Sequence, residues 1–188
     1  ELGKSYPVDI GIVGDARATL AALSAVLGQR TRPSDAAQAH LATVAERKTA
    51  WRAELVESQD DSGTPIHPAR LLKELSLAAP DDVGFVTDVG WNKNGVGQQF
   101  DILTPGTFLT PGGYATMGFG APAAVGAKIA HPDRVVVSLV GDGGFGQNPA
   151  VLATAREENV AVVWVVMNNN AFGTIAGLEK AAFDTTYG

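Results

Sequence analysis

Two runs, Arg134 to Val140 and Ala161 to Met167, are apolar, short and Val-rich, as Val135-Val136-Val137 and Val162-Val163-Trp164-Val165-Val166 show. Neither alternates apolar with polar positions, so each is predicted to be a strand covered on both faces. Gly84 to Asp88 has the same character. Helical patterns fall between these runs, over His67 to Leu77, Met117 to Ala130 and Asn148 to Glu158, and a Gly-rich loop is predicted from Gly90 to Gly113. Strands joined by helical crossovers predict an α/β fold: a parallel sheet with helices on both faces. Upstream, Tyr6 to Val13 reads as a short strand turned by Gly14-Asp15, with Asp15 as N-cap of a helix from Ala16 to Leu27 that Gly28 stops. Ser34 or Asp35 caps a longer polar helix to about Ser58, with Leu41, Val44, Trp51 and Leu55 near helical spacing. Gln59 to Pro65 is a charged linker containing Gly and Pro, so the chain divides near residue 60.

Composition narrows the picture. The 188 residues are 45% hydrophobic, enough to bury a core, and 22 Gly with 10 Pro imply many tight turns. A net charge of −6 without a Lys/Arg cluster argues against a nucleic-acid partner. With no cysteine there are no disulfides and no thiolate metal sites. The longest apolar stretch, Val160 to Met167, falls far short of the roughly 20 residues of a membrane span, and Glu1-Leu2-Gly3-Lys4 has no signal-peptide pattern. A soluble, cytoplasmic protein without a membrane partner is expected.

The candidate chemistry lies where the Val-rich strands end. Gly141-Asp142-Gly143 follows the first, and Asn168-Asn169-Asn170 follows the second. One carboxylate and one amide oxygen are thereby expected at the carboxyl ends of successive strands, where parallel sheets place their ligand crevices and a diphosphate-bound Mg²⁺ could sit. Gly141-Asp142-Gly143-Gly144-Phe145-Gly146 also satisfies the dinucleotide pattern G-x-G-x-x-G. That reading wants an acidic residue at the end of the next strand to hold a ribose, and three asparagines stand there instead. A purely structural reading, with Gly for a tight turn and Asn for capping, uses the same residues.

Gly141-Asp142-Gly143 with Asn168-Asn169 resembles the thiamine-diphosphate motif. Pro111-Gly112-Gly113-Tyr114-Ala115-Thr116-Met117-Gly118-Phe119-Gly120-Ala121-Pro122-Ala123-Ala124 resembles the corresponding stretch of acetolactate synthase-like enzymes. The resemblance implies that residues 1–30 are the tail of a middle domain, 31–65 a helical linker, and 66–188 a thiamine-diphosphate-binding domain, incomplete in this chain. It implies that Asp142 and Asn169 give side-chain oxygens to Mg²⁺ and that Ala171 adds its carbonyl, with diphosphate oxygens and a water completing an octahedron. Gly143 and Gly144 would offer amide N–H groups to the diphosphate, aided by the N-terminus of the helix from Asn148. Val89-Gly90-Trp91-Asn92 resembles the other diphosphate-contacting loop. Ala115 and Met117 occupy the positions that hold the aminopyrimidine, Ala115 through its carbonyl and Met117 as the wedge between the two rings.

The same resemblance sets what else is expected. The glutamate that activates the cofactor belongs to an N-terminal domain, normally of a second subunit, so a homodimer or homotetramer is implied and this segment alone would be inert. The reaction implied is carboligation or lysis of a 2-oxo acid or aldehyde through a C2 carbanion and enamine. A non-ligating decarboxylase of the benzoylformate type and a noncatalytic cofactor-binding subunit are the alternatives. Three positions depart from the acetolactate synthase pattern: Trp91-Asn92 stands for a Gln-His pair, Val151 for a Glu, and Gly177-Leu178 for a Gln-Trp pair. His40, His67 and His131 read as surface, lead-in or capping residues. Asp88 could orient the cofactor loop or make a structural hydrogen bond, and Lys93 could approach the diphosphate or face solvent.

Overall fold

The computed structural model describes residues 2–28 and 34–187, so the predicted boundary between residues 30 and 31 lies outside the described residues. The chain forms two compact units, Glu1–Glu54 and Leu55–Gly188. In the first, α1 (Ala16–Leu27) begins where predicted: Asp15 Oδ1 accepts from the Ala18 N–H at 2.8 Å. Ser34 Oγ accepts from the Ala37 N–H at the start of α2 (Asp35–Asp60), a helix with no buried residue. The predicted strand from Tyr6 to Val13 does not form, and Ile10 and Val13 are 81% and 92% exposed. A strand needs a partner for its backbone groups, and none is present among the described residues of this unit.

The second unit holds the sheet. Its elements are α3 (Pro68–Ala78), β1 (Gly84–Thr87), α4 (Trp91–Gln99), β2 (Phe108–Leu109), α5 (Gly120–Ala130), β3 (Val136–Gly141), α6 (Asp142–Phe145), α7 (Val151–Glu157), β4 (Val163–Met167) and α8 (Gly173–Phe183). The strands run parallel in the order β2-β1-β3-β4. His67 caps α3 with Nδ1 accepting from the Ala69 N–H, which confirms it as a lead-in residue. The span from Gly90 to Gly113 is not a continuous loop, because it contains α4 and β2. With two glycines inside it, α4 has poor helix propensity and forms because Asn92 and Val96 are buried in the fold.

The core lies on both faces of β1 and β3. On one face, Leu72 of α3 and Val96 of α4 pack with Phe85, Val137 and Leu139, and the Phe85 and Phe100 rings stand 4.6 Å apart. On the other, Ala124 of α5 packs with Val86 and Val136. Buried polar groups in this layer are satisfied: Ser138 Oγ donates to the Gly120 carbonyl and Thr87 Oγ1 to Thr110 Oγ1. Helices on both faces of a parallel sheet are as predicted for β1 and β3. They are not for β4, whose Val163 and Val166 remain 53% and 39% exposed. This strand ends the sheet order, so among the described residues it has a neighbour on one side only. No helix of the described residues is long and apolar enough to cross a membrane.

Candidate functional site

Parallel pairing of β3 with β4 carries through Gly141 opposite Met167. The chain therefore leaves both strands at the same level, and Asp142 emerges beside Asn168-Asn169-Asn170. Each side chain is oriented by a local backbone bond. Asp142 Oδ1 accepts from the Gly143 N–H at 3.0 Å, and Asn169 Oδ1 accepts from the Ala171 N–H at 3.2 Å. A carboxylate and an amide carbonyl are hard oxygen donors suited to Mg²⁺. No group of three or more His, Cys, Asp or Glu is placed to hold a metal ion among the described residues. One carboxylate leaves half of a divalent charge unbalanced, so an ion here fits best when its ligand is itself an anion.

The glycine turn is shaped differently from the expectation. After Gly141 comes the single helical turn α6, and the longer helix α7 begins only at Val151, not at Asn148. The Asn148 N–H donates to the Phe145 carbonyl and the Gly143 N–H to Asp142, so neither is a free donor. A side chain is excluded at Gly143, where a Cβ would stand 2.5 Å from the Phe172 ring and 3.3 Å from Met117 Cε. That contact brings Met117 to the turn that carries Asp142. Ala115 has φ +49°, a left-handed conformation for a residue with a Cβ, which costs about 1–3 kcal/mol and is found where surrounding contacts impose it.

Asp88, for which the sequence left open orienting the cofactor loop or making a structural hydrogen bond, does make structural hydrogen bonds. It follows β1, is fully buried, and accepts from the main-chain N–H groups of Val89, Gly118 and Gly120. Nothing local in the sequence names its partners, because Gly118 and Gly120 reach it only through the fold. In the neighbouring segment, Val89 donates to Asp88, and Gly90 takes φ +122° to start α4. The Asn92 side chain points into the protein, donating to the Leu139 carbonyl at 3.0 Å and accepting from the Lys93 N–H. Lys93 Nζ reaches the Pro111 carbonyl at 3.4 Å. Trp91 lies along α8: a Cβ at Gly173 or Gly177 would meet its ring at 3.6 and 3.9 Å. Two departures from the acetolactate synthase pattern, Trp91 and Gly177, are thus spatial neighbours. Thr174 Oγ1 is buried without a partner, 3.6 Å from where a Gly90 Cβ would be. Concavities lined by His131 and Arg134 lie at the amino ends of β1 and β3, opposite this site.

Fold and geometry together define a parallel α/β domain whose candidate site for an anionic cofactor lies at the carboxyl ends of its strands. Residues 88–188 match the thiamine pyrophosphate enzymes over their C-terminal TPP binding domain, and the chain belongs to that family. Its cofactor is thiamine diphosphate. The chain is similar to a probable acetolactate synthase large subunit of Methanococcus aeolicus, 34% identical over 93% of this chain and 31% of the relative. It is 30% identical to a sulfoacetaldehyde acetyltransferase of Castellaniella defragrans over 92% of this chain and 31% of that protein. Among solved structures it resembles a thiamine diphosphate-dependent 4-hydroxybenzoylformate decarboxylase of Rhodococcus jostii RHA1, with TM-score 0.63 and 31% identity over 68% of this chain and 24% of that one. The chain thus spans about a third of the length of these curated relatives.

Proposed function

We propose that the protein carrying this chain is a thiamine-diphosphate- and Mg²⁺-dependent carboligase or lyase acting on a 2-oxo acid or small aldehyde. The observation that carries the proposal is the pairing of Gly141 with Met167, which sets Asp142 beside the asparagines. In this reading Asp142, Asn169 and the Ala171 carbonyl hold the metal and through it the diphosphate. Met117 packs against the cofactor from the loop that also presents the Ala115 carbonyl. When bound, thiamine diphosphate supplies a thiazolium carbon that adds to a carbonyl and takes up the electron pair of the broken C–C bond. The activating glutamate would come from an N-terminal domain of a second subunit, making the working form a homodimer or homotetramer.

A decarboxylase that releases aldehyde without ligation is the second reading, supported by the likeness to the 4-hydroxybenzoylformate enzyme. Calorimetric titration of the full-length protein with thiamine diphosphate tests the site. Binding should require Mg²⁺, and Asp142→Ala or Asn169→Ala should weaken it by about a hundredfold and tenfold or more respectively, because each removes an oxygen ligand. Binding indifferent to Mg²⁺ and to both changes would remove the assignment. Incubation with pyruvate and benzaldehyde then separates the readings: an acyloin product identifies a carboligase, and acetaldehyde released without acyloin a decarboxylase.

A further inference from the structure

Gly118 is gripped from both sides by residues that belong to other elements. Its N–H donates to both oxygens of Asp88, at 3.2 and 3.0 Å, and its carbonyl accepts from Asn148 Nδ2 at 2.8 Å. Asp88 comes from the end of β1, whereas Asn148 follows the Gly141–Gly144 turn. Gly118 itself sits at φ +83°, and a Cβ there would stand 2.8 Å from the Asn148 amide and from Gln147 Oε1, so no side chain fits between the two grips.

The Asp88 carboxylate also accepts from Val89 at 2.6 Å and Gly120 at 3.0 Å. Gly120 opens α5, whose cap residue Phe119 makes no side-chain bond, so Asp88 supplies the anionic cap from a different element. A carboxylate is an acceptor only, and charge-assisted bonds to amides are about twice as strong as neutral ones. Moving the loop away would strip a buried charge of its donors, which confines the loop to one place. The same carboxylate backs the cofactor turn, since a Cβ at Gly144 would lie 2.9 Å from its Oδ2. Met117 is the residue before Gly118, and Ala115, in its imposed left-handed conformation, lies two residues further back.

We propose that Asp88 and Asn148 are positioning residues: by holding the N–H and the carbonyl of Gly118, they fix where Met117 and the Ala115 carbonyl stand against the Gly141–Gly144 turn. Neither needs to touch the cofactor. The catalytic consequence rests on the thiamine-diphosphate reading of the site, whereas the mechanical one does not.

The experiment uses the full-length protein, first without cofactor. Hydrogen–deuterium exchange followed by mass spectrometry should show peptides spanning 112–120 exchanging about tenfold faster in Asp88→Asn and Asn148→Ala, with peptides of β4 unchanged. Asp88→Asn places an amide NH₂ against backbone donors while keeping the shape. If that variant does not fold, Asn148→Ala, an exposed position, carries the test alone. With thiamine diphosphate and Mg²⁺ added, exchange of the cofactor C2 proton, read by NMR, should slow about tenfold or more while the calorimetric Kd stays within about threefold. Unchanged exchange of 112–120 in the variants that fold overturns the clamp, and C2 exchange falling only in proportion to affinity overturns its catalytic role. Failure of the parent to bind thiamine diphosphate would instead overturn the functional reading, leaving the cofactor-free exchange result to decide the clamp.

Discussion

Met117 and Gly144 make opposite demands on their surroundings. Met117 reaches the Gly143 backbone with the end of a flexible side chain. Met117→Ala is therefore expected to slow C2 proton exchange of the bound cofactor by about tenfold or more, with affinity nearly unchanged; NMR exchange and calorimetry check the two halves. Gly144 has no such tolerance. The carboxylate that a Cβ would meet is held by main-chain amides and cannot swing aside. Gly144→Ala should cost about 1–3 kcal/mol, measured as a lower denaturation midpoint. Asp142 and Asn169 could be named from the sequence because their motif is local. Asp88 could be named but its role stayed open between two alternatives, since its partners are amides about thirty residues away that only the fold brings near.

Among the elements, α5 shows how stability and site are separated. Its first turn is pressed onto the strand ends, where a Cβ at Gly120 would stand 2.8 Å from Val140 Cγ1. Toward its middle, Gly126 is exposed and a Cβ there meets nothing within 4 Å. Gly126→Ala should stabilise the domain by up to about 1 kcal/mol through helix propensity alone, seen as a raised denaturation midpoint without loss of cofactor binding. The apolar runs of β1 and β3 were legible because buried parallel strands leave a continuous apolar signature, and β4 carries the same signature although it stays partly exposed. By contrast, α4 was not, because its glycines oppose helix and only burial of Asn92 and Val96 overrules them. The strand expected from Tyr6 to Val13 failed for the converse reason: its pattern was suitable, but no partner strand received it among the described residues.

For the domain as a unit, the cofactor is expected to be part of the folding free energy. Anything bound only by the native state stabilises it by mass action, about 2.7 kcal/mol at a ligand concentration a hundred times Kd. Scanning calorimetry of the full-length protein should accordingly show a higher Tm with thiamine diphosphate and Mg²⁺ together than with either alone. Chelation should reverse the gain. Equal Tm values under all conditions would contradict the metal-bridged reading.

By itself the sequence determined the parallel α/β class and named the candidate residues at the strand ends, because both are written in contiguous residues: Gly141-Asp142-Gly143, Asn168-Asn169-Asn170 and the Val-rich runs before them. Only the tertiary structure decided that β3 and β4 are neighbours, that Asp88 and Asn148 hold Gly118 between them, and that Trp91 lies over the glycines of α8. Those are pairings between segments distant along the chain, selected by the burial of shared apolar surface and the satisfaction of backbone amides, and no single stretch of residues encodes them.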